Sequence, residues 1–246
     1  MSAGFKCKQF FVGHDQCAMK VGTDGLLLGA WASLPTSDSV KSSTAVSAGI
    51  AFLDIGSGSG LISLMLAQRS VTATIHAIEL DANAASQAEH NFQQSPFASR
   101  LQLLKGDILT YQPAERYALI VSNPPFFDNA LLSVNEKRNQ ARHTSSLPLP
   151  LLLTKAAELL APGGSFALVL PESAAAAFSL EAEAQGWYAA ASCRVFSRAD
   201  KAPIRRLMQW QRQPCQSRQQ QLLIHNDDGS YSQQYRLLLR DFYLKF

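Results

Sequence analysis

From residue 50 onward the chain alternates short apolar runs with stretches of helical period. "IAFLDI" (50–55) reads as a buried strand, "LISLMLAQR" (61–69) as a helix, "ATIHAIEL" (73–80) as a second strand and "ANAASQAEHNFQQ" (82–94) as a second helix. "LQLLKGD" gives a short third strand and "YALIVSN" (117–123) a fourth. "LPLLLTKAAELLA" (149–161) predicts a helix stopped by Pro162-Gly163-Gly164, where a tight turn can form, with "SFALVLP" as the strand beyond. Strands that read as nearly continuous apolar runs, with helices between them, predict an α/β fold: a mostly parallel sheet covered by helices on both faces. Ligands of such sheets bind outside the carboxyl ends of the strands. The residues that end each strand are therefore the candidates for chemistry.

The first strand ends in "LDIGSGSG" and opens a helix. Gly56, Gly58 and Gly60 let the backbone pass close to a bound group, and the helix start offers unpaired N–H donors. A dinucleotide fingerprint needs glycine at 61, where the chain has Leu61. The G-x-G-x-G spacing is instead similar to the first motif of S-adenosylmethionine-dependent methyltransferases, in which Asp54 also belongs. The second strand ends in Glu79-Leu80, placing an acid where it can accept from two ribose hydroxyls. After the third come Gly106, Asp107 and Ile108: a carboxylate to accept from an adenine amino group and an apolar side chain to lie on the ring.

The fourth strand ends in Asn123-Pro124-Pro125-Phe126. Prolines cannot donate to a sheet, so they stop the strand. The tetrapeptide also resembles the [D/N]-P-P-[Y/F/W] signature of enzymes that methylate amino groups conjugated to a ring or carbonyl. An exocyclic adenine amine is a poor nucleophile because its lone pair is delocalised into the ring. If the Asn123 amide oxygen and the Pro124 carbonyl each accept one of its N–H bonds, the nitrogen can pyramidalise, and the positive charge that develops on it is stabilised. Phe126 offers a stacking face; Phe127 reads as core packing.

Composition narrows this picture. The chain has 246 residues, 47% hydrophobic and 17% charged, enough for one sizeable core. The expected organisation is a single domain over 1–246: an N-terminal lid or extension (1–34), a Ser/Thr-rich flexible loop (35–49) containing "TSDSVKSSTAVSA", and a core with C-terminal strands (50–246). No run approaches the roughly 20 apolar residues of a membrane span, and the N-terminus lacks the apolar stretch of a signal peptide; a cytoplasmic protein without membrane contact is expected. Cys7, Cys17, Cys193 and Cys215 lack metal or disulfide-framework spacing, so neither a metal site nor a disulfide is expected. Net charge is only +3. Residues 194–218, however, hold seven basic side chains, including Arg198, Lys201, Arg205 and Arg206, against the single acid Asp200. Such a run is either a solvated face or a contact for nucleic acid.

"KQFFVGHDQCAMKVGTDGLLLGAWA" (8–32), the "NPPFF" stretch, "ARHT" (141–144) and the closing "DFYLKF" resemble the bacterial tRNA1(Val) adenine N6-methyltransferases, over nearly the whole chain except the Ser/Thr-rich stretch. The resemblance implies a class I, Rossmann-like methyltransferase fold with a seven-stranded sheet whose last strand is antiparallel. It implies S-adenosyl-L-methionine as donor and a tRNA anticodon stem-loop as acceptor, with adenosine 37 the target. Asp54, Gly56, Gly58, Gly60, Glu79, Leu80, Asp107, Ile108 and Asn123 would then face the cofactor, and Asn123, Pro124 and Phe126 the adenine. Relatives often carry Tyr where this chain has Phe126, which keeps the stacking face and drops a hydroxyl. Lys20, Thr23 and Asp24 either close over the cofactor or cap and pack an N-terminal helix. Lys137, Arg138 and Arg142 are candidates to hold phosphates, and His143 is either a fourth or a structural hydrogen-bonding residue. Two other readings stay open: a glutamine N5-methyltransferase of the release-factor type, whose substrate amide presents the same chemistry, and a catalytically silent RNA-binding factor on the same fold. A DNA adenine methylase would need a large target-recognition region, which the chain does not show.

Overall fold

The computed structural model describes residues 4–17, 20–35, 50–125 and 147–246. A short antiparallel hairpin, β1 (Gly4–Lys6) and β2 (Phe11–Gly13), precedes helix α1 (Thr23–Trp31). The alternating core follows as β3 (Ala51–Ile55), α2 (Leu61–Arg69), β4 (Thr74–Glu79), α3 (Ala82–Gln93), β5 (Leu101–Lys105) and β6 (Tyr117–Ser122). Then come α4 (Leu149–Leu159), β7 (Leu160–Pro171), α5 (Glu172–Ala184), β8 (Tyr188–Phe196), β9 (Pro203–Gln211), β10 (Arg218–Leu223) and α6 (Gln233–Leu239).

The main sheet runs in the order β10-β8-β9-β7-β6-β3-β4-β5. Only β9 is antiparallel to its neighbours; all other pairings are parallel. Strands β3 to β9 are the seven expected, with the antiparallel strand last, and β10 adds an eighth at the edge beside β8. Its sequence, "RQQQLL", has neither apolar continuity nor alternation, and four of its six residues are exposed, so hydrophobic patterning carries no signal for it.

The expected turn at Pro162-Gly163-Gly164 is a bulge inside β7. Leu160 pairs with Tyr117 and Ser165 with Leu119, so five residues of β7 face two steps of β6. Gly163 has φ +75°. A Cβ on Gly164 would stand 2.9 Å from the Tyr117 carbonyl oxygen, so only glycine fits there.

Each face of the sheet buries its own apolar cluster. One joins Phe52, Leu119 and Val121 to α1, α2 and the hairpin. The other joins Leu53, Ile120 and Leu168 to α4 and α5. The helix α1, "TDGLLLGAW", packs against α2 through its small residues: a Cβ on Gly29 would lie 2.7 Å from the Met65 sulfur, and one on Gly25 3.1 Å from Leu61. Leu26, Leu27 and Leu28 are all buried. The segment read as a lid is thus anchored in the core by its helix.

Chain order sets the site. From β3 the chain steps outward through β4 to β5, then returns to place β6 on the other side of β3. The crevice at such a reversal lies between the carboxyl ends of β3 and β6. In register, Ile55 is opposite Ser122, and the Ser122 hydroxyl donates to the Ile55 carbonyl at 2.9 Å. Gly56 and Asn123, one residue further along each strand, therefore emerge side by side.

Candidate active site

A cavity of about 390 Å³ opens at this crevice, within the usual range for small-molecule sites. Its floor is the glycine loop from Gly56 to Ser59, one wall is Lys20 to Gly25, and Asn123 stands beside the loop. The remaining wall consists of Val195, Ile204, Arg205 and Ile224, from the ends of β8, β9 and β10.

The loop is shaped by left-handed backbone at Gly56 (φ +71°), Gly58 (φ +55°) and Gly60 (φ +80°). A Cβ on Gly56 or Gly58 would meet nothing within 4 Å, whereas one on Gly60 would strike the Phe92 ring at 2.4 Å. The first two glycines therefore keep space clear for a ligand. Gly60 lies outside the cavity lining and lets α2 start against α3.

Beneath the loop, Asp54 is fully buried. Its Oδ2 accepts from the Ser63 backbone N–H at 3.1 Å and from the Ser63 hydroxyl at 2.7 Å, while Oδ1 has no hydrogen-bond partner among the described residues. Burial raises its pKa to about 7; the Ser63 hydrogen bonds oppose the shift and the Glu79 charge adds to it. The Ser57 hydroxyl, also buried, is likewise without a partner among the described residues. Ser57 lines the cavity and Asp54 lies beneath it, outside the lining; a buried unsatisfied group calls for an account, and a ligand that brings a donor supplies one for the Ser57 hydroxyl.

Glu79 ends β4 as expected. Its Oε2 accepts from Gly58 N–H at 2.8 Å and its Oε1 from Asp81 N–H at 2.9 Å. It thereby fixes the loop while each oxygen keeps a second lone pair able to accept another donor. Leu80 beside it is 57% exposed, bare apolar surface at the strand end. Asp107 caps a short 3-10 turn, with Oδ1 accepting from Leu109 N–H at 2.9 Å, which leaves Oδ2 for another donor. Ile108 is buried within the α4/α5-side cluster.

Lys20, Thr23 and Asp24 all line the cavity. Asp24, in the first turn of α1, accepts from Arg205 Nε at 2.8 Å, the two side chains about one-third exposed. The helix packed into the core presents its first turn to the cavity, and its N-cap is Gly22 with no side-chain cap hydrogen bond, so the packing expected of this segment is seen and the capping is not. Asn123 is half-buried on the cavity wall and Pro124 follows it. Phe126, Phe127, Lys137, Arg138, Arg142, His143 and the 36–49 stretch lie outside the described residues.

The basic run divides. Arg206 makes a two-nitrogen pair with Glu172, and Arg194 lies 3.5 Å from the same carboxylate. With Arg205 on Asp24, Arg212 donating to the Gln185 carbonyl and lying over the Trp187 ring at 5.1 Å, and Arg218 on the Ser33 hydroxyl at 3.2 Å, five of the seven cations are engaged within the fold. Arg198 and Lys201 sit in the β8–β9 loop, Lys201 pairing only with its exposed neighbour Asp200 at 3.0 Å.

Sequence reasoning missed Ser57, Ser59, Val195, Ile204 and Ile224 as lining residues, and Asn91 as a clamp. Asn91, buried on α3, accepts from Gly13 N–H at 3.0 Å and donates to the carbonyls of Gly13 and Ser59, both at 2.8 Å. It ties the N-terminal hairpin to the glycine loop. The hint in the sequence was a pair of amides, Gln87 and Asn91, one turn apart on the buried face of the helix.

Among the described residues no helix is long and apolar enough to cross a membrane, and no group of three or more His, Cys, Asp or Glu is placed to hold a metal ion.

Residues 42–196 match the family model for the Methyltransferase small domain. A tRNA1(Val) (adenine(37)-N6)-methyltransferase of Cronobacter sakazakii is 46% identical over 98% of this chain and 95% of its own length. Among solved structures, a predicted O-methyltransferase of Agrobacterium tumefaciens superposes with TM-score 0.65 at 16% identity, over 89% of this chain and 96% of that one. The glycopeptide N-methyltransferase MtfA, solved with S-adenosyl-L-methionine, gives TM-score 0.50 at 15% identity over 67% and 82% of the two chains. These two likenesses establish the class I methyltransferase fold.

Proposed function

The chain belongs to the tRNA1(Val) (adenine(37)-N6)-methyltransferase family, and we propose that it methylates N6 of adenosine 37 in the anticodon loop of tRNA1(Val), using S-adenosyl-L-methionine. The observation that carries this reading is the single cavity that brings the glycine loop and Asn123 together.

The cofactor supplies an electrophilic methyl group on a sulfonium. Gly56 and Gly58 clear its space, Glu79 is placed for ribose hydroxyls, and Ser57 Oγ is an acceptor waiting for a donor. On the acceptor side, the Asn123 side-chain oxygen and the Pro124 carbonyl take the two N–H bonds of the adenine amine. That drives the nitrogen toward a pyramidal, nucleophilic geometry and stabilises its growing charge. Holding both reactants in one cavity supplies the alignment for an in-line displacement. No side chain has to act as a strong base, because the methylated cationic nitrogen is itself acidic. An anticodon-loop base is already unpaired, which lowers the cost of placing it in the cavity.

Arg198 and Lys201 stand at the sheet edge that carries the cavity and are read as phosphate contacts, with Lys137, Arg138 and Arg142 as further candidates from the sequence. A cytoplasmic location accords with a tRNA substrate.

The test is incubation of the protein with labelled S-adenosyl-L-methionine and tRNA1(Val) lacking the modification, followed by nucleoside analysis mapped to position. N6-methyladenosine at position 37 is expected. Label in a protein glutamine and none in tRNA would replace this reading with the glutamine one.

A further inference from the structure

Strands β8 and β9 lose register at the end that carries the cavity. Arg205 stands opposite Val195, but Pro203 stands opposite Phe196, so Ile204 is an extra residue with no partner on β8. On the other side, β7 pairs with β9 only as far as Arg205, opposite Pro171. We propose that Ile204 is a substrate contact, which covers one face of the adenine being methylated. This rests on the tRNA reading above.

The bulge is the first argument. Along β9, Arg205, Leu207 and Gln209 face the side of α1, through Asp24, the cluster around α1 and Ser33. Arg206, Met208 and Trp210 face α5 and its cluster. Regular alternation would send Ile204 to the α5 side with Arg206. An extra residue breaks the alternation, and bulges beside sites re-aim a side chain in this way. Ile204 lines the cavity together with Val195 and Arg205. The bulge is also held in place. Arg205 Nη1 donates to the Ile204 carbonyl at 2.9 Å while its Nε donates to Asp24 at 2.8 Å. The carbonyl of the unpaired residue is thereby satisfied, and the start of β9 is fastened to the first turn of α1.

Exposure is the second. Ile204 is 41% exposed and is, among the described residues, the only exposed large apolar side chain lining the cavity. Its apolar companions on that wall, Val195 and Ile224, are buried. Covering Ile204 with a ligand removes apolar surface from water and so favours the bound state.

Position decides which ligand. Strand β9 lies two strands from β6, about 10 Å, on the side of Asn123 away from β4. Glu79, placed for the cofactor ribose, ends β4. The cofactor nucleoside therefore lies away from Ile204, and the space between Asn123 and Ile204 is left for the acceptor base. Asn123 and Pro124 take the amine at the edge of that base, which leaves its faces without a partner. Bases held outside a stack are packed between aromatic or apolar side chains. With Phe126 read from the sequence as one cover, Ile204 supplies the second.

The test uses the whole protein, unmodified tRNA1(Val), and the same tRNA made without a base at position 37. Ile204→Ser is expected to lower kcat/KM for the unmodified tRNA about tenfold. Ile204→Leu, which keeps the apolar volume, is expected to stay close to the parent. As an inhibitor, the abasic tRNA should have the same Ki against the parent and Ile204→Ser, because it offers no base to cover. Affinity for S-adenosyl-L-methionine, measured by calorimetry, should be unchanged in both variants, which also shows that they fold. An unchanged kcat/KM for Ile204→Ser would overturn the inference. So would an equal loss of affinity for the abasic tRNA, which would place the contact elsewhere on the RNA, or weakened cofactor binding, which would give this wall to the cofactor. The tRNA reading fails separately, by absence of methyl transfer from the parent protein.

Discussion

Replacing Asp54 with Asn should make the cofactor-free protein more stable at neutral pH than the parent by a margin that is absent near pH 4, over any constant offset. Asp54 is fully buried, with one oxygen on Ser63 and the other without a partner among the described residues. Its folded pKa is raised from 3.8 to about 7, mainly by burial. Between those two values the folded protein holds a proton that the unfolded chain has released, so stability falls as pH rises through this window. At 1.36 kcal/mol per unit, the ionised carboxylate costs about 4 kcal/mol at pH 8. Below the unfolded pKa both states carry the proton and the cost vanishes. Asn cannot ionise, so Asp54→Asn removes the cost, and any change in its bonds to Ser63 is a pH-independent offset. Other titrating groups are common to both proteins and cancel in the difference. The gap between variant and parent should therefore grow by about 4 kcal/mol from pH 4 to pH 8, roughly 8–16 °C in Tm for a chain of this length. Urea unfolding at several pH values, without cofactor, measures it. A gap that stays constant across that range would refute the claim that Asp54 holds a proton in the empty site. Cofactor affinity of the variant should be lower, since no negative charge can then form beneath the cavity.

Three further outcomes follow from the same geometry. Gly60→Ala drives a Cβ into Phe92 in left-handed backbone and should cost about 2–4 kcal/mol in unfolding experiments, whereas Gly58→Ala should cost about 1–2 kcal/mol and chiefly weaken cofactor binding measured by calorimetry. Asn123→Ala should lower kcat about 100-fold or more with cofactor affinity unchanged, while Glu79→Ala should weaken cofactor binding, because Glu79 also holds Gly58; the reverse pattern in either would contradict the roles given. Asn91→Ala removes three hydrogen bonds that join Gly13 to Ser59 and should cost about 2–4 kcal/mol, with faster hydrogen exchange at the N-terminal hairpin as the local signature.

What could be read from sequence was what the chemistry requires of contiguous backbone. A loop that must pass close to a ligand needs positive φ, so glycines at Gly56 and Gly58 are visible, and a strand stopped by prolines is visible at Asn123. The opposite wall was not visible, for a physical reason. Val195, Ile204 and Ile224 are apolar residues at strand ends, indistinguishable by pattern from core. They become site residues only because β9 runs antiparallel, which puts its first residues at the same edge as the last residues of β8 and β10. Strand order and the edge strand "RQQQLL" leave no mark in local periodicity. The partners of the basic run were hidden for a related reason: its block of seven cations looks uniform, yet Asp24 is 181 residues from Arg205 and Glu172 is 34 from Arg206. Removing those engaged cations from the RNA-facing charge leaves Arg198 and Lys201 at the loop, too few to hold a tRNA on phosphate contacts alone. Salt dependence of tRNA binding should therefore fall when Arg198 and Lys201 are removed and remain when Arg206 is.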